Sequence, residues 1–469
     1  MSPEQASTIA PSTSGTGATR PQLRILPGSA PGPRGWFSGW HLLNDPLPFI
    51  ETNFRKYGDL VHLRLFGFHV YTIAHPDGIK HVLQDNHRNY RKSADYKLLA
   101  RILGQGLVTS EGDLWLRQRR LIQPMFHRQK IATFGAMMTD CTLEMLERWR
   151  GRAARGETFD ATAEMMRLTL HIVGRALLTM DLTSQADSIG RNMTTANERF
   201  GKGDIGMLAP WLPTPTNLRF RSAVDTLRQI VLDIIARRRR EGRDYGDLLS
   251  MLLAVRDEET GDGMNNEQLR DEVLTLILAG HETTATALSW TWYLLSQHPD
   301  VERKLHAELD AVLGGRAPTT ADLANLTYAG MVIDEAMRLY PPVWAIGREA
   351  IAADEIMGCR IPKGSSIMAS QWLAHRHPAF WENPDVFDPE RFSAERASGR
   401  PRYAYFPFGG GPRMCIGNIF ALTEAQLVLA TVAQRYRLKL APGHPIELQP
   451  LITLRRLHGV KVVLESRGN

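Results

Sequence analysis

The sequence predicts a mainly α-helical fold with a smaller β-rich portion, built as one large domain. Three observations predict it. Long stretches such as 129–150 and 161–180 repeat apolar residues at helical spacing. Short stretches that alternate apolar and polar residues lie at 59–66, at 69–74 and again around 452–464. After residue 33 of the 469-residue chain no linker-like segment and no internal repeat breaks the pattern.

In chain order, residues 1–20 are rich in Ser, Thr, Ala, Gly and Pro, with only Glu4 and Arg20 charged. Such a composition buries too little apolar surface to offset its ordering entropy, so it reads as a disordered tail ahead of a domain over 21–469. It has neither the basic nor the apolar region of a signal peptide. Pro21 to Pro33 form a stiff, non-helical lead-in. The stretches 59–66 and 69–74 flank Gly67 as a hairpin. A helix over 266–297 opens on a capping box of Asn265 and Gln268 and stops at Pro299. Its length of about 48 Å crosses a domain. Its middle, 274–280, is apolar on every face and should be buried all round. Directly after it stand His281, Glu282, Thr283 and Thr284, polar groups that are costly in a buried helix unless bonded or functional.

Composition narrows the function. Charged residues are 23% and hydrophobic residues 43%, which excludes wholesale disorder and fibrous repeats. No apolar run approaches the ~18–20 residues of a membrane span. The net charge of +6 is concentrated at 237–240, four arginines in a row. They read as a solvated helix end: aromatics to stack on bases are missing there apart from Tyr245, so nucleic acid is not expected as a partner. Three cysteines, Cys141, Cys359 and Cys415, cannot make a disulfide framework and suit a reducing, cytoplasmic setting. Cys141 and Cys359 read as unliganded. Gly201-Lys202-Gly203-Asp204-Ile205-Gly206 has dinucleotide-loop spacing but lacks the preceding strand, and His375 with His377 lacks the further ligands of a metal site.

Cys415 stands apart. It lies in Phe408-Gly409-Gly410-Gly411-Pro412-Arg413-Met414-Cys415-Ile416-Gly417, with a helix expected just after it that carries Ile416, Phe420 and Leu427 on one face. A thiol at a helix start beside Arg413 is stabilised as the thiolate, and glycines let backbone N–H groups approach the sulfur. A thiolate is the axial haem ligand that favours O–O cleavage. The pattern Phe-x-x-Gly-x-Arg-x-Cys-x-Gly resembles the haem-binding signature of the cytochrome P-450 monooxygenases. Ala279-Gly280-His281-Glu282-Thr283-Thr284 resembles that family's oxygen-activation segment, and Glu335-Ala336-Met337-Arg338 its Glu-x-x-Arg pair. The segment containing Arg391 resembles its meander, and Trp115 with Arg119 its Trp-x-x-x-Arg helix. The matches run from about residue 22 to the C-terminus in the family's order.

The resemblance implies haem b as cofactor, Cys415 as its iron ligand, and Phe408 and Gly417 in the cofactor loop. It implies Trp115, Arg119, Arg348 and Arg413 at the haem propionates. Glu335, Arg338 and Arg391 would form a structural triad. Thr283 would hydrogen-bond bound oxygen and Glu282 help to deliver protons, while Ala279 and Gly280 let the helix open slightly. Leu276, Ala279, Gly280, Val343, Trp344 and Ile346 are the pocket candidates, apolar enough for a fatty acid or terpenoid. The reaction expected is insertion of one atom of O2, with electrons from a ferredoxin or flavodoxin and its NAD(P)H-dependent reductase. Arg117, Arg120 and Lys130 would attract an acidic donor. A peroxygenase or isomerase of the same fold, or a haem-binding sensor, are the rival readings, and the intact Glu282-Thr283 pair weighs against them.

Overall fold

The structure, a computed structural model, describes residues 30–33, 41–42, 44–65, 68–180, 189–192, 195, 212–257 and 261–467. The tail 1–20, most of the proline-rich lead-in, Gly67 and the 201–206 glycine segment lie outside the described residues.

Helix Asn266–Gln297 is the axis of the molecule. Its capping box forms as the sequence predicts: Asn265 Oδ1 accepts the Gln268 N–H at 2.9 Å and Gln268 Oε1 accepts the Asn265 N–H at 3.2 Å. The next helix, Pro299–Leu313, starts on the proline that ends it. Hydroxyls inside the buried part return to the helix's own carbonyls, Ser289 to Ala285 at 2.6 Å and Thr291 to Ala287 at 2.9 Å, which removes their desolvation cost. Around this axis pack Ala161–Leu178, Gly135–Arg155, Pro215–Glu241, Thr327–Leu339 and Asn418–Ala433, and their apolar faces form one large core. The expected 129–150 helix is divided: a short turn, Arg128–Ala132, precedes Gly135–Arg155.

The β portion is peripheral. β1 (Leu60–Leu65), β2 (Phe68–Ile73), β3 (Tyr90–Lys92), β5 (Ile346–Ala350) and β8 (Ser366–Ala369) form a sheet in the order β1-β2-β8-β5-β3. Only β2–β8 is parallel. β4 (Phe159–Asp160), β12 (Lys461–Ser466) and β9 (Tyr436–Leu440) form a second sheet. Two small hairpins remain, β6 (Asp354–Ile356) with β7 (Cys359–Ile361) and β10 (Leu448–Pro450) with β11 (Leu454–Arg456).

The arginine run corrects one expectation. It sits at the end of helix Pro215–Glu241, but Arg238 points inward and is 5% exposed. Its guanidinium donates to Asp247 at 2.8 and 2.9 Å, to Ser250 Oγ at 2.9 Å and to the Leu178 carbonyl at 2.5 Å. Every fourth position of a surface helix turns back to the protein, so one of four adjacent arginines meets the buried side and finds an acid there. His375 and His377 are likewise structural: Nε2 of His375 accepts the Phe406 N–H at 3.0 Å, and His377 pairs with Asp59 at 2.9 Å.

Candidate active site

The Cys415 loop is shaped by its glycines. Gly409 and Gly411 have φ of +72° and +66°, the left-handed region that a side chain resists. A Cβ on Gly410 would fall 2.3 Å from the Tyr403 ring, and one on Gly411 would fall 1.8 Å from the Leu83 carbonyl oxygen. The loop closes on itself when the Cys415 N–H donates to the Phe408 carbonyl at 2.9 Å. Helix Asn418–Ala433 then starts with Gly417 as its cap, so Ile416 precedes the helix instead of lying on its face, while Phe420 and Leu427 are buried in the core as expected. Cys415 is accessible, unlike buried Cys141 and Cys359. Its surroundings push the thiol pKa up, and the Gly417 N–H and the Arg119 charge counter that in part.

Arg413 corrects a second expectation. It forms a two-pronged ion pair with Glu111, both contacts at 2.5 Å, and stacks over the Trp115 ring 4.9 Å from its centroid. The cation that acts on the sulfur is Arg119, which also donates to the Met414 carbonyl at 2.9 Å. Trp115 and Arg119 share helix Gly112–Ile122, as their spacing requires.

Arg348 is buried on β5, donates to the Gly347 carbonyl at 2.8 Å and hydrogen-bonds the Tyr96 hydroxyl. Its partner across β3 is Lys92, whose backbone N–H donates to Glu111 at 2.8 Å and whose Nζ donates to the carbonyls of Leu107 and Ser110 at 3.2 and 2.5 Å. Burial first, then Arg413 and Arg348, lower the Lys92 pKa to about 7. Lys92 was not legible as a site residue, because only the β3–β5 pairing brings it to Arg348.

In the central helix the stripe Leu276, Ala279, Gly280 and Thr283 stays accessible while its neighbours Leu274, Ile277, Glu282 and Thr284 are buried. The positions follow i, i+3, i+4, i+7, one face of the helix. This differs from the expectation of burial all round at 274–280: one stripe of the segment is left partly uncovered by the neighbouring elements. The helix runs without a break through Gly280, where a Cβ would press on Val173 Cγ2 at 3.1 Å, so this glycine admits close packing of helix Ala161–Leu178. Thr283 Oγ1 donates to the Ala279 carbonyl at 2.6 Å. Glu282 points elsewhere, to Arg455 at 2.7 Å and to the Thr453 hydroxyl. Val343, Trp344 and Ile346 lie partly accessible on the run into β5, and Ile346 Cδ1 would be 3.1 Å from a Cβ on Gly409, which places Ile346 against the Cys415 loop.

Glu335, Arg338 and Arg391 form one buried network. Arg338 donates to both Glu335 oxygens at 2.6 and 2.8 Å and to the carbonyls of His375 and Pro384 at 2.9 and 2.6 Å. Arg391 Nε lies 3.3 Å from Glu335. Glu147 with Arg150, a copy of the same spacing at 3.0 Å, is by contrast an exposed surface pair. Sequence reasoning also missed Glu424, fully buried on the helix after Cys415 beside the Thr284 hydroxyl, where burial raises its pKa well above the carboxylate range.

The structure thus brings together an accessible cysteine in a glycine-built loop, the basic side chains of Lys92, Arg348 and Arg413, and a helix carrying Glu282 and Thr283. The cytochrome P450 family model matches residues 30–457, and the chain belongs to that family. It is 40% identical over 92% of its length to cyclooctatin synthase of Streptomyces melanosporofaciens, of which it covers 93%. It is 34% identical over 95% of its length to pentalenene oxygenase of Streptomyces avermitilis, covering 99% of that protein. The structure of retinoic acid-bound cyanobacterial CYP120A1 superposes with a TM-score of 0.85 at 26% identity, covering 94% of this chain and 100% of that one. The protein is thus a cytochrome P450 monooxygenase. Among the described residues no helix is long and apolar enough to cross a membrane.

Proposed function

We propose that this enzyme inserts one oxygen atom of O2 into an apolar terpenoid, using haem b held by Cys415 and electrons from a separate redox protein. The carrying observation is Cys415: an accessible sulfur whose loop glycines bring the Gly417 N–H onto it. The residues fit haem. A soft sulfur donor suits its iron. Lys92, Arg348 and Arg413 gather three basic side chains near Glu111, and their mutual repulsion helps to lower the Lys92 pKa, which suits two propionates. Trp115 and Arg119 lie on the same side. The bound haem would supply oxygen activation by thiolate donation.

The chain's own groups do the rest. Thr283 spends its hydroxyl proton on the Ala279 carbonyl, so its lone pairs are free to accept a proton or hydrogen bond on the accessible face. Glu282 is the nearest acid along the helix. Leu276, Ala279, Gly280, Val343, Trp344 and Ile346 offer an apolar wall with few polar groups, which favours terpenoid over fatty acid when set beside the names of the relatives, a cyclooctatin synthase and a pentalenene oxygenase.

The electron donor is an acidic ferredoxin or flavodoxin with its NAD(P)H-dependent reductase, in the cytoplasm. Arg117 and Arg120 are less available to it than the sequence suggests: Asp257, nearly fully buried, pairs with them at 3.8 and 3.2 Å. Lys130 donates to the Gly246 carbonyl at 3.3 Å and Arg128 is exposed. These two carry the steering charge, and Lys130→Glu with Arg128→Glu should slow reduction at low salt and not at high salt.

The test is a visible-spectrum titration of the holoprotein with pentalenene and other cyclic terpenes, and with fatty acids. A saturable shift of the Soret band towards high spin with a terpene, followed by a monooxygenated product, supports the reading. A shift with fatty acids alone overturns the substrate class, and loss of the thiolate-type carbon monoxide spectrum in the wild type overturns Cys415.

A further inference from the structure

A cleft lies between the C-terminal end of helix Pro215–Glu241, the short helix Leu248–Ala254 and the start of helix Asn266–Gln297. It has a volume of about 850 Å³, a size that suits a small-molecule ligand. Cys415, Glu282 and Thr283 do not line it. Five arginines do, Arg117, Arg238, Arg239, Arg243 and Arg256, against two aspartates, Asp244 and Asp262.

The guanidiniums differ in how far they are already engaged. Arg238 is neutralised by Asp247. Arg117 Nε lies 3.8 Å from Asp257, and its Nη2 donates to the carbonyls of Asp262 and Gly263, both at 3.3 Å. Arg256 Nη1 closes the end of helix Leu248–Ala254, donating to the carbonyls of Leu253, Ala254 and Val255 at 3.1, 3.1 and 2.9 Å. Its charge has no acidic partner among the described residues. Arg239 and Arg243 are exposed, and among the described residues they have none either, whereas Arg237 next to them pairs with Glu241 at 2.8 Å. Asp244 turns to its own loop, where Oδ1 accepts the Gly246 N–H at 2.7 Å. Gly242, at φ +59°, ends the helix in the left-handed region and turns the chain, so that Arg238 and Arg243 both lie over the Tyr245 ring. Asn265 and Gln268 also line the cleft, so the positive end of the central helix opens on the same space.

Guanidinium groups match phosphate oxygens in geometry as well as charge. Cations contributed by separate elements suit a ligand with more than one anionic group. Among the described residues no aromatic side chain lines the cleft, and Tyr245 already carries two arginines, so stacking of nucleic-acid bases is not what it offers. A docked protein would need a broader face than this concave space. We propose that the cleft is a binding site for a diphosphate group, held by Arg239, Arg243 and Arg256 at the positive end of the central helix. The site is separate from the haem chemistry, and its failure would leave the reading of Cys415 untouched.

The test is isothermal titration calorimetry of the holoprotein at physiological salt with sodium pyrophosphate, then with inorganic phosphate, adenosine diphosphate and farnesyl diphosphate. One saturable site for pyrophosphate is expected, with inorganic phosphate weaker. Arg239→Glu and Arg243→Glu should each weaken pyrophosphate by about tenfold or more, the worth of one charge-assisted contact. Arg148→Glu, at an exposed position of helix Gly135–Arg155, should bind as the wild type does. Binding of adenosine diphosphate that is tighter than that of pyrophosphate and lost in Arg239→Glu assigns the group to a nucleotide. The same result with farnesyl diphosphate assigns it to a prenyl chain. Absence of saturable heat from pyrophosphate overturns the site. So does an equal loss in Arg148→Glu, which would mean general attraction to a basic surface. An acidic surrogate ferredoxin that loses affinity in Arg239→Glu and Arg243→Glu, with no heat from pyrophosphate, would give the cleft to a protein instead. Should one of the two charge reversals fail to fold, the other decides.

Discussion

Lys92 on β3 and Arg348 on β5 stand directly opposite each other in an antiparallel pair. Like charges in that position repel, and the strand pairing survives because Glu111 and backbone carbonyls share the load. The arrangement makes sense if anionic groups complete it. Lys92→Met should then leave the empty fold at least as stable and release haem faster. A lost hydrogen bond to a charged group, about 1.5–3 kcal/mol, corresponds to roughly tenfold or more in the release rate. Transfer of haem to an excess of apomyoglobin measures it; an unchanged rate would place Lys92 outside the propionate site.

Arg338 and Glu335 are both fully buried, and Arg338 also holds the carbonyls of His375, Pro384 and Val386. Removing one partner strands the other charge, which costs about 3–5 kcal/mol in such pairs. Arg338→Ala should therefore yield little folded holoprotein. Glu147→Ala, which breaks a surface copy of the same spacing, should shift the thermal midpoint by less than a degree or two, since exposed pairs contribute about 0–1 kcal/mol. Equal effects in the two variants would deny Arg338 its bracing role.

How far the sequence showed this in advance differs from element to element. The central helix was legible from its capping box and Pro299, because those signals are local, and the Cys415 loop from a dense run of constrained residue types. Arg413 was legible as a cation and not as the partner of Glu111, 302 residues away in the chain. Glu282 was legible as an acid, but Arg455 and Thr453 come from a hairpin that no local pattern ties to the helix. Lys92, Glu424 and the inward turn of Arg238 depend on which element packs against which, and periodicity says nothing about that. Burial of 274–280 was overestimated because an all-apolar segment with one uncovered face reads the same as one in a core.

Glu272 gives a pH dependence with a definite sign. It is fully buried, and burial raises its pKa to about 8, with Asp271 adding to the rise and the Leu107 N–H and Lys92 opposing it. The folded protein keeps a proton here that the unfolded chain has released above about 4.5, so stability falls as pH rises from 4.5 towards 8, by up to about 1.4 kcal/mol per unit. Glu272→Gln removes the titration. It should match the wild type near pH 4.5 and exceed it increasingly towards pH 8. Thermal midpoints of both proteins across that range check the slope; parallel curves would mean that Glu272 is ionised in the folded state.

Gly411 and Gly409 offer a graded test of the cysteine loop, since both have positive φ but different neighbours. A methyl on Gly409 would meet the end of the Ile346 side chain at 3.1 Å, which can move aside. A methyl on Gly411 would meet the Leu83 carbonyl oxygen at 1.8 Å, and that atom belongs to backbone which cannot yield without displacing the turn 81–85. Gly409→Ala should then cost only the backbone strain, on the order of 1 kcal/mol, and keep the thiolate-type carbon monoxide spectrum. Gly411→Ala must move the loop itself, and with it the Cys415 N–H bond to the Phe408 carbonyl that sets the sulfur's position. The expected result is loss of the thiolate-type spectrum in Gly411→Ala at haem loading where Gly409→Ala retains it. If both variants kept it, the close approach of Gly411 to Leu83 would not be what fixes the sulfur.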